Sequence, residues 1–258
     1  MTLESSLRAA RESGRKLLVP YVTGGLGHGW LNIVRAVADA GADAIEIGIP
    51  FSDPVMDGRT IQEASQRALD IGATPAGIID QLAGADIAVP LAVMTYYNPV
   101  HHMGHQRFAQ RLAGAGVQAA IVPDLPLDEL NGWADAADAA GVETVLLAAP
   151  TTSDERLAAI CARSRGFVYG IALLGITGER TELAVEAGEM GRRLKAATDL
   201  PVLLGLGISN PSQAREAAAH ADGVIVGSAL IRRLLEGGGS EGAAAFVREL
   251  REGLDRDD

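Results

Sequence analysis

Eight short apolar runs alternate with segments of helical patterning along the 258 residues, and this alternation restricts the fold more than any other feature. The runs lie at 17–22, 43–49, 89–96, 118–122, 143–148, 166–171, 201–204 and 223–226. Helical patterns fill 30–41, 60–71, 74–82, 108–116, 128–141, 154–163, 183–197, 211–220 and 241–254, with no linker-like stretch between them. Parallel strands need a crossover connection, so the alternation predicts a parallel sheet of βαβ units. Eight such units close into a (β/α)8 TIM barrel, expected as a single domain over 1–258. An open doubly wound sheet is the alternative. Gly24-Gly25-Leu26-Gly27, after the first run, lacks the spacing of a dinucleotide-binding turn.

The second run carries the chemistry. Period-two alternation puts Ile45, Ile47 and Ile49 on one face and Ala44, Glu46 and Gly48 on the other. The bulky face suits the helix layer, which leaves the small residues and the acid pointing into the barrel. A lone carboxylate among Ala and Gly is costly to desolvate unless it is paired or lies at the open end. Pro50 stops the strand, so Glu46 lies near its carboxyl end, where such barrels place their chemistry. Asp57 follows eleven residues later in a loop punctuated by Pro50, Pro54 and Gly58.

The last two strands end in Gly205-Leu206-Gly207-Ile208-Ser209 and Gly227-Ser228-Ala229. Glycines there let backbone N–H groups approach an anion, and a short helix from Ser228 to Arg232 would add its N-terminus. Gly175-Ile176-Thr177-Gly178, after the sixth strand, could close a third side. An inward acid facing a phosphate anchor describes an enzyme acting on a small phosphorylated substrate. Tyr169 shares a face with Phe167 and Ile171, which is either the inward face or the helix-packing one. Tyr21, Tyr96 and Leu125 could wall an apolar substrate pocket or simply pack the barrel.

A net charge of −11 argues against nucleic acid or an anionic membrane as partner. Cys161 is the single cysteine and cannot form an internal disulfide, which fits a reducing compartment. It falls in a helical pattern, where a buried small hydrophobe is the expectation. The N-terminal stretch is polar, and no run reaches membrane-spanning length. A cytoplasmic location is the expectation. His101, His102 and His105 share one loop without acid or cysteine ligands beside them, so no metal is expected.

Asp43-Ala44-Ile45-Glu46-Ile47-Gly48-Ile49-Pro50-Phe51-Ser52-Asp53-Pro54, then Asp57-Gly58 and Ile61-Gln62, closely resembles the signature of tryptophan synthase alpha chains. The resemblance continues through Tyr96-Tyr97-Asn98-Pro99, Pro123-Asp124-Leu125-Pro126, Gly166-Phe167-Val168-Tyr169, Gly175-Ile176-Thr177-Gly178 and Gly205-Leu206-Gly207-Ile208-Ser209. It implies a lyase that cleaves indole-3-glycerol phosphate into indole and glyceraldehyde 3-phosphate without a cofactor. By position in the motifs, Glu46 matches the family's general acid/base, Asp57 its loop aspartate and Tyr169 a tyrosine beside the reacting centre. Thr177 matches a threonine that meets the aspartate on closure. Gly178, Gly207, Gly227 and Ser228 match phosphate-binding positions. The resemblance also implies a pyridoxal phosphate (PLP)-dependent beta chain as partner in an alpha2-beta2 heterotetramer, docked through the Asp57 loop and residues 98–105.

The chemistry stands without the name. Releasing indole requires protonation of its C3, and a desolvated carboxylic acid can hold that proton near neutrality. An ionised aspartate would stabilise the charge developing at the indole N–H. The chain departs from the family pattern at Arg59, where proline is usual, and at Ala172-Leu173-Leu174, where a serine and polar neighbours are usual. Residues 98–104 are also unusual for a partner-facing loop. Two further readings therefore stay open: a stand-alone lyase of secondary metabolism, and a catalytically weak activator of a beta chain. The presence of both Glu46 and Asp57 counts against the second.

Overall fold

The computed structural model describes residues 1–171, 180–205 and 207–256. Eight parallel strands close in sequential order: β1 (Leu17–Thr23), β2 (Ile45–Gly48), β3 (Leu91–Met94), β4 (Ala119–Ile121), β5 (Glu143–Ala148), β6 (Val168–Ile171), β7 (Val202–Gly205) and β8 (Gly223–Val226). β8 pairs back onto β1, with Leu17 opposite Gly223. The expected barrel is therefore the observed one.

The helices before β4 are α1 (Leu3–Glu12), α2 (Trp30–Asp39), α3 (Arg59–Asp70), α4 (Pro75–Ala83), α5 (Tyr97–Met103) and α6 (His105–Gly114). After it come α7 (Asn131–Ala140), α8 (Asp154–Arg163), α9 (Arg180–Ala197), α10 (Pro211–Ala218), α11 (Ser228–Leu235) and α12 (Gly239–Leu254). Several start where local chemistry dictates. Thr74 and Asn210 accept N–H bonds from Gly77 and Gln213, each just ahead of a proline at the first helical position.

Two hydrophobic layers divide the side chains as the alternation requires. Ile45, Ile47 and Ile49 belong to the outer layer between strands and helices. Ala44, Ala92, Ala119, Phe167, Leu203 and Ile225 belong to the interior. The interior also takes in Leu3 and Leu7 of α1, both fully buried. This helix closes the amino-terminal end of the barrel and was not expected from the sequence, because its apolar residues are too sparse to stand out. The Glu143 carboxylate, at the start of β5, accepts the Glu4 N–H at 3.1 Å and holds α1 by its N-terminus.

The same end carries a motif repeated every second strand. Asp43 Oδ2 accepts the Leu18 N–H (2.8 Å), Gln118 Oε1 the Leu91 N–H (2.7 Å), Ser164 Oγ the Leu146 N–H (3.1 Å) and Asp222 Oδ2 the Val202 N–H (2.8 Å). Each side chain lies on the approach to an even strand and caps a donor of the odd strand before it. The two aspartates also hold cations: Arg15 and Arg251 at Asp43, Lys195 and Arg11 at Asp222. Asp222→Ala is expected to cost about 2–3 kcal/mol, because a buried charge-assisted bond and an ion pair go together. Urea melts should show a lower midpoint at unchanged slope, with Asp222→Asn losing less because its side-chain oxygen still caps Val202.

One expected loop is a helix. Residues 98–105 form α5 and the start of α6, and the strand before them stops at Met94. Pro99 sits in the first turn of α5, where its missing N–H has no intrahelical partner to lose. The Tyr97 N–H of that turn is capped from a distance by Asp124 Oδ1 at 2.8 Å.

Candidate active site

Glu46 lies on β2 opposite Tyr21 of β1 and Ala92 of β3, and it is 1% exposed. The pleat that sends Ile45 and Ile47 outward sends this side chain into the barrel. Its Oε2 is buried without a hydrogen-bond partner. Burial pushes the carboxyl up to about 8, and the charge of Asp57 adds to the effect. At neutral pH Glu46 is therefore an acid that keeps its proton.

Asp57 approaches from the loop between β2 and α3, near enough for its charge to raise the Glu46 carboxyl. Within that loop the Val55 N–H bonds to the Asp53 carbonyl (2.9 Å) and the Asp57 N–H to the Pro54 carbonyl (3.0 Å). Gln62 of α3 donates Nε2–H to the Asp57 carbonyl at 2.8 Å, tying the end of the loop to the helix behind it. The Asp57 carboxyl is half-buried; burial pushes it up to about 6, and a hydrogen bond from Tyr96 offsets part of that rise. Two carboxyls with different environments thus share one site, one protonated and one ionised at pH 7.

Tyr21 and Tyr169 complete the interior, and both phenols are held neutral by burial, with the nearby carboxylates reinforcing this. Each lies over a glycine of the neighbouring strand. A Cβ at Gly48 would collide with the Tyr21 ring and hydroxyl, and one at Gly205 would lie 2.6 Å from the Tyr169 hydroxyl. Tyr169 packs with Phe167 in the interior, so its face is the inward one. The Thr23 hydroxyl is buried and faces the Tyr21 phenol without a hydrogen bond of ordinary geometry.

The turns expected to cradle an anion lie on the far side of Tyr21. Gly227 follows β8, and a Cβ there would sit 3.5 Å from Tyr21 Cβ. Gly227 is the N-cap of α11, whose first turn, beginning at Ser228, has no side-chain cap. Ser228 and Ala229 open the helix at positions whose N–H groups have no carbonyl to bond within it, the kind of donor an anion takes. Gly207, after β7, takes a left-handed φ of 66° that favours glycine. β2, β1 and β8 are consecutive around the barrel, so the acid, the tyrosine and the cradle lie side by side.

Leu125 is buried in the outer layer and lines a cleft of about 170 Å³ with Leu127, Leu146 and Ile160. Thr177, Gly178 and Leu173 lie outside the described residues. Arg59 is exposed at the first position of α3. His105 accepts or donates a 2.9 Å bond with the Tyr97 hydroxyl and packs edge-on to Trp133, so it braces α5 and α6 against α7. Among the described residues no group of three or more His, Cys, Asp or Glu is placed to hold a metal. Among them also, no helix is long and apolar enough to cross a membrane. Cys161 is buried, as expected, and burial pushes its thiol up.

Sequence reasoning missed two residues. Tyr96 was left as either a pocket wall or barrel packing, but its hydroxyl accepts the Met56 N–H at 2.9 Å inside the Asp57 loop. Asp124 stood within a quoted motif with no role, and it caps α5. Neither bond has a local signal, because each joins residues from separate βα units.

Comparison with known proteins agrees with this geometry. A sequence profile described as tryptophan synthase alpha chain matches residues 7–254. The tryptophan synthase alpha chain of Streptomyces coelicolor is 43% identical over 98% of this chain and 96% of its own length. A Mycobacterium tuberculosis tryptophan synthase structure superposes with a TM-score of 0.91 at 38% identity, covering 99% of this chain and 98% of that one. The tryptophan synthase subunit alpha of Legionella pneumophila superposes at 0.90 with 31% identity, covering 99% of both chains. With full-length similarity in sequence and fold, this chain belongs to the tryptophan synthase alpha chain family.

Proposed function

We propose that this chain cleaves indole-3-glycerol phosphate to indole and glyceraldehyde 3-phosphate as the alpha chain of a tryptophan synthase, acting as a single cytoplasmic domain. The observation that carries the reading is the pair of inward carboxyls, Glu46 pushed up to about 8 and Asp57 to about 6, beside the open N-terminus of α11. Glu46 gives its proton to indole C3. Asp57, ionised, accepts the indole N–H as positive charge develops on the ring. The glyceryl hydroxyl on the scissile carbon then loses its proton to the Glu46 carboxylate, which giving up its proton has just made a base. The C–C electrons return to the ring as the aldehyde forms. Tyr169 bounds the reacting centre, Tyr21 lies between acid and cradle, and Gly207, Gly227 and Ser228 hold the phosphate. By motif position Thr177 and Gly178 join them. The chemistry requires no metal or organic cofactor.

The proposed partner is a PLP-dependent beta chain in an alpha2-beta2 heterotetramer. An apolar cleft of about 380 Å³ lies between the start of the Asp57 loop, α4 and α5, lined by Phe51, Leu69, Pro99 and Met103. Beyond it the same loop exposes Val55 and Met56, 80% and 54% accessible. Such apolar exposure at a cleft marks a contact surface.

The deciding assay measures indole release from synthetic indole-3-glycerol phosphate from pH 5 to 9.5, alone and with a beta chain. The expected kcat/KM profile is bell-shaped, rising near pH 6 as Asp57 ionises and falling near pH 8 as Glu46 loses its proton. No indole under either condition overturns the reading. Full activity without a beta chain would make the enzyme a stand-alone lyase.

A further inference from the structure

We propose that Tyr96 is a positioning residue for Asp57: its hydroxyl accepts the Met56 N–H and donates to the Asp57 carboxylate, fixing the loop before substrate arrives. The inference rests on the reading above and adds a device to it. Tyr96 is 4% exposed and stands between β3 and α5, on the rigid frame rather than on the loop. Its ring stacks on Phe51, where the loop begins, with centroids 5.1 Å apart and planes 25° from parallel. Its hydroxyl oxygen takes the Met56 N–H at 2.9 Å. One proton is left on that hydroxyl, and Asp57 is the residue next to Met56; the hydroxyl favours the ionised Asp57 carboxyl, and Asp57 in turn raises the phenol. A single side chain thus holds the start of the loop and the backbone beside its functional group. A loop with Val55 and Met56 exposed to solvent has little other apolar packing to order it.

The frame itself is braced. Tyr96 is the N-cap residue of α5, and Asp124 bonds the next N–H along, so the loop after β4 steadies the residue that steadies the loop after β2. Among the described residues, the groups that face Asp57 electrostatically are Glu46, Tyr21, Tyr169 and Tyr96; Asp124 acts on Tyr96. Of these, Tyr96 alone favours the ionised aspartate, through its donated bond. A group that merely packed would order the loop without touching that ionisation.

The test compares Tyr96→Phe, which keeps the ring and removes the hydroxyl, with Phe51→Leu, which removes the stack and keeps the hydroxyl. Carbon-13 NMR titration of the Asp57 carboxyl in the intact, ligand-free chain is the primary readout, and the pH profile of indole release is the second. Tyr96→Phe should move the Asp57 titration and the acid limb up by about one pH unit, with kcat at pH 7 down ~10-fold and KM within about twofold. Phe51→Leu should lower thermal stability and leave the Asp57 midpoint in place. An Asp57 midpoint unchanged in Tyr96→Phe, or shifted equally in Phe51→Leu, overturns the inference. The NMR readout needs no turnover, so its result stands apart from whether indole is released.

Discussion

Glu46→Gln is expected to lower kcat for indole release by at least ~10³-fold while leaving the barrel folded, because one carboxyl supplies both the proton and a base. Gln matches the shape and keeps a hydrogen-bonding head but cannot deliver a proton to carbon. A second readout is independent of turnover. The Glu46 carboxyl titrates at about 8 in the folded chain against an ordinary 4.5. Between those values the folded chain holds a proton that the unfolded chain has released. The stability linked to that proton is fully present below about 4.5 and is lost as pH rises through about 8, at roughly 1.4 kcal/mol per pH unit in between. In Glu46→Gln this slope is absent. Urea melts of the two proteins from pH 5 to 9 should therefore diverge, the variant becoming the more stable toward the alkaline end. Parallel curves would show that Glu46 is not the buried acid, and retained turnover would remove it from the mechanism.

Asp57→Asn is expected to reduce kcat by ~10²–10³-fold with little change in KM, since the lost interaction is strongest when the ring carries charge. The substitution keeps the backbone bonds at Pro54 and Gln62, and its amide oxygen can still accept from Tyr96. The acid limb near pH 6 should vanish, because the group that titrates there is gone. The alkaline limb should move down: Asp57 raises the Glu46 pKa by its charge, and a neutral neighbour relieves that repulsion. A profile that kept both limbs in place would assign the acid limb to another group.

Much of the fold and half of the site were legible beforehand, for a definable reason. Alternation along 44–49 is a local property, so the inward Glu46 and outward isoleucines could be read from spacing alone. The glycines after β7 and β8 were legible as backbone positions, though not their second duties. Gly205 was counted with the phosphate loop, yet it also clears room for the Tyr169 ring. Gly48 was read only as small, and it is the Tyr21 ring of the adjacent strand that requires it to be so. Residues 98–105 were read as a loop and are helical, because Pro99 is tolerated in the first turn of α5 and Asp124, from another βα unit, caps the Tyr97 N–H.

By itself the sequence determined the eightfold alternation, the parallel βαβ order that a barrel requires, the face of each β2 side chain and the two carboxyls proposed for the chemistry. Periodicity and motif spacing are carried within a few consecutive residues, so no folding was needed to see them. Only the tertiary structure decided that α1 closes one end and that four side chains cap alternate strands there. It alone decided that Tyr96 grips the Asp57 loop and that Tyr169 faces inward. Each of these depends on burial or hydrogen bonds between residues far apart in the chain. Their partners are chosen by where strands and helices come to rest, not by what precedes or follows them.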